Sequence, residues 1–238
     1  MRPILFYLGN SPIYSYPLFW GMSWGLAYRL CEYLLKVNDK FTKGFLIYFF
    51  SVFVFSWIGA KLLFLLVTKE IHHMAMESSF WLGGGFVFLG GFIFATILTL
   101  FAVYILRVIK WDQIEIVLPS LAFSHALGRV GCFLAGCCYG KEIHLHEFPI
   151  ERYPVQLMES AGLTILGIFL WKNTKNKKWK LNPSYYLVGY GSLRFCLEFL
   201  RGDVIRGVYT LGISTSQIVS IFMIFAGTFL IIKSKRSL

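Results

Sequence analysis

Charge is scarce in this chain. Only 15% of its 238 residues are Asp, Glu, Lys or Arg, and acids are rarer than bases, 12 against 23. A water-soluble surface of this size normally carries more. No internal repeat, low-complexity tract or long linker interrupts the chain, so residues 1–238 read as a single domain. Residues 1–17 lack an apolar core followed by a small-residue cleavage site, so no cleavable signal peptide is expected and the first helix is expected to target the chain. The net charge of +11 is not accompanied by any nucleic-acid module, and no nucleic-acid partner is expected.

Apolar residues fill the space. They make up 57% of the chain, aromatics alone 18%, and mean hydropathy is +0.64, more than one soluble core can hide. Several runs exceed the roughly 20 residues that cross a bilayer as a helix. The fold class expected is all-α, an integral-membrane protein with about seven transmembrane helices. The spans fall at 16–35, 44–67, 80–106, 114–136, 154–171, 183–200 and 211–232. Gly83, Gly84, Gly85, Gly90 and Gly91 blur the third and the fifth is short, which leaves six or eight as the alternative count. Thirteen basic residues lie in one set of alternate loops, among them Lys172, Lys175, Lys177, Lys178 and Lys180, and six in the other. The positive-inside rule then places the N-terminus outside, the C-terminus in the cytoplasm, and favours an odd count.

Four cations fall inside these spans: Arg29, Lys61, Arg129 and Arg194. A charge at that depth costs several kcal/mol unless paired or hydrated, so each is a functional candidate. Arg29 has Glu32 one turn away and reads as a locally paired surface residue. Lys61 is divided between snorkelling and function. Arg129 and Arg194 lie roughly 15 Å and 10 Å below the outer ends of their helices, at a similar level. Tyr190, Arg194, Glu198 and Arg201 recur at intervals of four, four and three, one polar stripe on an apolar helix. More guanidinium is gathered than one carboxylate neutralises. A phospholipid phosphate, bound through two hydrogen bonds to a planar guanidinium, is the missing partner; an internal ion-pair network is the alternative.

Arg129 sits in a run containing Gly128, Gly131, Gly136 and Gly140, which suits close backbone approach to a ligand or to another helix. Cys132, Cys137 and Cys138 follow it, with Cys196 on the sixth helix and Cys31 distant. Their spacing is no zinc pattern; small apolar packing residues, a redox pair or a soft-metal site with His125 are the readings left open. His125, four residues before Arg129, is a candidate base on the same helix face. His72 and His73 read as external-loop residues.

The run resembles the signature of the prolipoprotein diacylglyceryl transferase family, Gly-Arg-x-Gly-Asn-Phe-x-Asn-x-Glu-x-x-Gly, through Gly128, Arg129, Gly131, Phe133 and Gly140. Tyr153, Pro154, Gln156, Leu157 and Glu159 are similar to its His-Pro-x-Gln-Leu-Tyr-Glu. Gly189, Tyr190, Gly191 and Arg194, with Glu198, Phe199, Arg201 and Asp203 beyond, resemble its Gly-Tyr-Gly-x-x-Arg segment and the following Glu-Phe-x-Arg. Residues 84–91 resemble its Gly-Gly-Met-Ser-Phe-His-Gly-Gly loop. The resemblance implies a multi-pass enzyme of the bacterial cytoplasmic membrane. It transfers diacylglycerol from phosphatidylglycerol to the lipobox cysteine in the signal peptide of a secreted prolipoprotein, with no cofactor and no metal. It makes Arg129 and Arg194 catalytic, with His125 the candidate base, and assigns substrate binding to Tyr190, Glu198, Arg201, Gly128, Gly131, Cys132, Cys137, Gly140 and Gln156. Leu89, Cys132, Cys137 and Tyr153 stand where the family has His, Asn, Glu and His. Either catalytic groups have moved in this branch, or a paralogue kept lipid binding without the reaction. An anionic-lipid binder or transporter and a membrane thiol oxidoreductase are the alternatives from other classes.

Overall fold

The structure is a computed structural model that describes residues 2–9, 11–67, 87–143, 152–202 and 213–236. Lys69, His72, His73, Gly83, Gly84, Gly85, Asp203 and Arg206 lie outside the described residues. A short antiparallel hairpin, β1 (Ile4–Leu8) and β2 (Ser11–Tyr14), leads into seven α-helices among the described residues. These are α1 (Ser15–Val37), α2 (Lys43–Val67), α3 (Phe88–Leu100), α4 (Trp111–Ala135), α5 (Val155–Lys175), α6 (Asn182–Glu198) and α7 (Thr215–Arg236). Among the described residues each expected apolar run falls on a helix, and the third continues past α3 as a π-turn over Phe101–Ile105. The helices α2, α4 and α7 are long and apolar enough to cross a membrane by length and composition.

The chain divides into two compact units, residues 39–113 and residues 1–38 with 114–238. In the first, α2 and α3 run antiparallel: Tyr48 bonds Thr99 at 2.8 Å, and the Val87 amide donates to the Ala60 carbonyl at 3.2 Å. Their backbones almost touch, because a Cβ on Gly59 would stand 2.5 Å from the Gly90 carbonyl oxygen. Hydrocarbon offers no hydrophobic drive between helices, so close packing at small residues has to hold such a pair. Lys61 is fully buried in this unit, which rules out the snorkelling expected as one reading of it. Gln113 closes the unit: its Oε1 accepts from the Lys110 amide at 2.8 Å and its Nε2 donates to the Lys40 carbonyl at 2.7 Å.

The second unit is built on polar solutions inside apolar helices. Pro119 stands within α4 and cannot donate to the carbonyl of Glu115 one turn back. Asn182 at the start of α6 donates to that oxygen at 3.2 Å and to the Thr174 hydroxyl of α5 at 2.9 Å. One fully buried amide thus ties three helices at a single level. At the start of α7, Ser214 and Gln217 form a capping box: the Ser214 amide donates to Gln217 Oε1 at 3.0 Å, and the Gln217 amide to Ser214 Oγ at 3.2 Å. The helix α6 packs on α7 through Gly191, whose Cβ would meet the Ser220 carbonyl oxygen at 3.0 Å.

Beyond α4 the chain forms a knot that pins three helix ends. Gly140 donates to the Tyr153 carbonyl at 3.2 Å, Tyr153 to that of Lys141 at 3.1 Å, Lys141 to that of Leu200 at 2.8 Å and Gly202 to that of Tyr139 at 3.1 Å. The ends of α4 and α6 and the start of α5 are therefore held together around the residues singled out in the sequence.

Candidate active site

Glu159 is the centre of the site. It projects from the first turns of α5 and is 2% exposed, a carboxylate that could stay charged there only with partners. Arg129 of α4 supplies the nearest, Nη2 lying 2.6 Å from Oε2, and Arg194 of α6 brings Nη1 to 3.5 Å from the same oxygen. The Tyr190 hydroxyl donates to Oε1 at 3.1 Å, and His125 Nε2 lies 3.9 Å from it. The imidazole also packs edge-on against the Tyr190 ring, centroids 5.1 Å apart, and Tyr186 stacks on the other ring partner at 5.8 Å.

A second carboxylate continues the chain of charge. Glu198 Oε2 lies 2.8 Å from Arg194 Nη2, one turn away on α6, and 3.9 Å from Arg201 Nη1; Arg201 stands past the helix end, bridged to Gly140, so the stripe expected on one helix ends at Glu198. Ser216 of α7 accepts a further hydrogen bond from Arg194 Nη2 at 3.1 Å. The side chains of Arg129, Arg194 and Arg201 are each only 11–12% exposed. Three guanidinium groups thus meet two carboxylates away from solvent, leaving the described cluster one positive charge in excess. Arg129 Nε is buried with no hydrogen-bond partner among the described residues. A buried N–H left in that state is costly, so the site is built to receive an acceptor.

The sequence expectations divide by position. Arg129, Arg194, His125, Tyr190, Glu198 and Arg201 come together around Glu159 and Glu198. Cys132 Sγ lies 3.9 Å from Arg129 Nη1. Gln156 is buried and donates from Nε2 to the Cys137 carbonyl at 2.6 Å, holding the turn beyond α4. The glycines serve backbone approach: a Cβ on Gly131 would stand 2.6 Å from that of Phe19 in α1, Gly128 faces Ser23 of α1, and Gly140 lies against Tyr153. Arg29 is 77% exposed and paired with Glu32 at 2.9 Å, as a surface residue. Cys196 is exposed and Cys31 buried in α1. Leu89 lies in the first turns of α3.

Two residues of the cluster escaped the sequence reading as site residues. Glu159 was read only as part of a motif, although the cost that singled out cations inside spans applies equally to a carboxylate within 154–171. Ser216 carried no such signal; a serine near a helix start is ordinary, and its place beside Arg194 depends on how α7 packs on α6.

A phosphatidylglycerol–prolipoprotein diacylglyceryl transferase of Clostridium tetani (strain Massachusetts / E88) is 34% identical, over 96% of this chain and 96% of its own length. Phosphatidylglycerol–prolipoprotein diacylglyceryl transferase 2 of Clostridium perfringens (strain 13 / Type A) is 40% identical over 51% of this chain and 52% of its own. A relative of the same name from Bordetella bronchiseptica is 25% identical over 98% and 95%. With the family's own model matching residues 3–233, the chain belongs to the prolipoprotein diacylglyceryl transferase family.

Proposed function

We propose that this chain transfers the diacylglyceryl group of phosphatidylglycerol to the lipobox cysteine thiol of secreted prolipoproteins. It does so in a bacterial cytoplasmic membrane that it crosses seven times, N-terminus outside. The observation that carries the reading is the buried centre in which Arg129 and Arg194 share Glu159 while Arg129 Nε lacks an acceptor. A phosphodiester bears one negative charge and offers planar pairs of oxygens, matching both the excess charge and the guanidinium geometry. An internal ion-pair network accounts for the Glu159 and Glu198 contacts but not for that orphaned N–H.

In the reaction, sulfur forms a bond to the terminal glyceryl carbon of the diacylglycerol as the bond from that carbon to the phosphate oxygen breaks. The electron pair leaves with glycerol phosphate. Arg129 and Arg194 take up the charge that grows on the departing phosphate, where fixed donors in a dry site act most strongly. The thiol proton passes to His125, and Glu159, 3.9 Å from its Nε2, stabilises the imidazolium that results. Tyr190 fixes the Glu159 carboxylate for both tasks. Glu198 and Ser216 hold Arg194, and Arg201 extends the positive field towards the phosphate.

The test is an assay of the purified protein with phosphatidylglycerol and a lipobox peptide, beside Arg129→Ala and Arg194→Ala. Thioether product that falls at least about a hundredfold in both variants is expected. A folded wild-type protein that binds the lipid and yields no thioether would overturn the reaction and leave a lipid binder.

A further inference from the structure

The last turn of α4 and the reversal beyond it hold three thiols, Cys132, Cys137 and Cys138, that the transfer step proposed above does not use. Gly136 (φ 77°) and Cys138 (φ 58°) both adopt left-handed backbone, so the chain reverses directly after the helix. The Cys137 amide donates to the Cys132 carbonyl at 3.2 Å and its thiol lies 3.6 Å from the same oxygen. The reversal brings Cys137 back onto Cys132, whose carbonyl its thiol faces, and places Cys138 next to it. All are free, and Cys137 is exposed. Adjacent cysteines close a disulfide only in a strained ring, so Cys132 is the partner either neighbour can reach without that strain.

We propose that Cys132, Cys137 and Cys138 form a dithiol–disulfide site that exchanges with small soluble disulfides, with Cys132 as the resolving thiol. The neighbouring Cys132 and Cys137 thiols, with the positive charge of Arg129 and Arg201, hold the Cys138 thiol below the usual thiol range. Its thiolate attacks one sulfur of the small disulfide and expels the other as a thiolate, which takes up the proton Cys138 has lost. Cys132 then gives up its proton and attacks the mixed disulfide at Cys138, releasing the second small thiol. Two protein thiols are oxidised, one small disulfide is reduced to two thiols, and no other oxidant enters. Since Cys132 Sγ lies 3.9 Å from Arg129 Nη1, the redox state is set beside the phosphate site.

The full chain in detergent is treated with oxidised glutathione, its free thiols are counted by maleimide mass-tagging, and the linked peptides are mapped. The wild type, with five cysteines, is expected to lose two thiols into a bond containing Cys132, restored by dithiothreitol. Cys132→Ser is expected to keep glutathione as a mixed disulfide instead, and Cys31→Ser and Cys196→Ser to behave as wild type. If Cys132→Ser does not fold, Cys138→Ser, altered in the turn beyond the helix, serves in its place and closes the bond roughly tenfold more slowly. Five persistent thiols in the wild type, a bond lacking Cys132, or unchanged closure in these variants overturns the proposal. The readout involves no lipid transfer, so failure of the reaction proposed above leaves it standing.

Discussion

At the scale of single residues, Glu159 decides the behaviour of the site. Two buried arginines and a tyrosine share its carboxylate, so Glu159→Ala leaves like charges facing each other without water. Removing one partner of a buried ion pair costs about 3 kcal/mol or more, and a comparable loss is expected in denaturant unfolding of the detergent-solubilised protein. Glu159→Gln keeps an acceptor for Tyr190 and is expected to unfold at a denaturant concentration between those of wild type and Glu159→Ala. Arg194→Lys is expected to bind phosphatidylglycerol while losing most turnover, because an ammonium cannot span Glu159, Glu198 and Ser216 from one planar group. Measuring lipid binding and thioether formation side by side separates those effects; equal losses in both would contradict the planar-group argument.

Between elements, two contacts hold the site in place from a distance. Asn182 repairs the gap that Pro119 leaves in α4 and ties α5 to it. Asn182→Leu removes the bonds to the Glu115 carbonyl and the Thr174 hydroxyl from a dry interior, which is expected to lower stability by about 1–3 kcal/mol without touching the arginines. The second contact is α1 against α4 at Gly131, where there is no room for a methyl group beside Phe19. Gly131→Ala is expected to lower the unfolding temperature, and Phe19→Ala in the same chain to restore part of it. A Gly131→Ala protein as stable as wild type would mean that α1 does not pack there.

For the whole molecule, the distribution of polarity is the reverse of a water-soluble protein. Lys61, Gln156, Glu159, Asn182 and Glu198 are almost fully buried, while Phe222, Phe225 and Phe229 of α7 and Ile165 of α5 are more than 60% exposed. Polar and charged groups gathered inside and aromatic side chains outside are what hydrocarbon selects. The proposed topology, with the N-terminus outside, puts the turn after α4 in the external medium. A membrane-impermeant maleimide added to intact cells is expected to label Cys137, and a reporter fused after α7 to be active only in the cytoplasm. The opposite pattern would invert the proposed topology and place the lipid-phosphate site on the wrong leaflet for a secreted acceptor.

Amino-acid order alone determined the helices and the candidate cations. Apolar runs have to become helices in hydrocarbon, and among the described residues each run expected from hydropathy falls on one because backbone groups there have no other partner. The stripe from Tyr190 through Arg194 to Glu198 was equally legible, since 3.6 residues per turn fix which side chains share a face, whereas Arg201 lies past the helix end. What only the tertiary structure decided is who stands opposite. Glu159 lies thirty residues from Arg129 and thirty-five from Arg194 in the sequence, and no helical period relates them. Their meeting depends on α4, α5 and α6 packing at one level, which the Asn182 bonds and the knot around Gly140 enforce. The same packing assigns Gly131 to a helix contact with Phe19, a choice that close approach to a ligand or to a helix left open in the sequence, because both demand the same missing side chain.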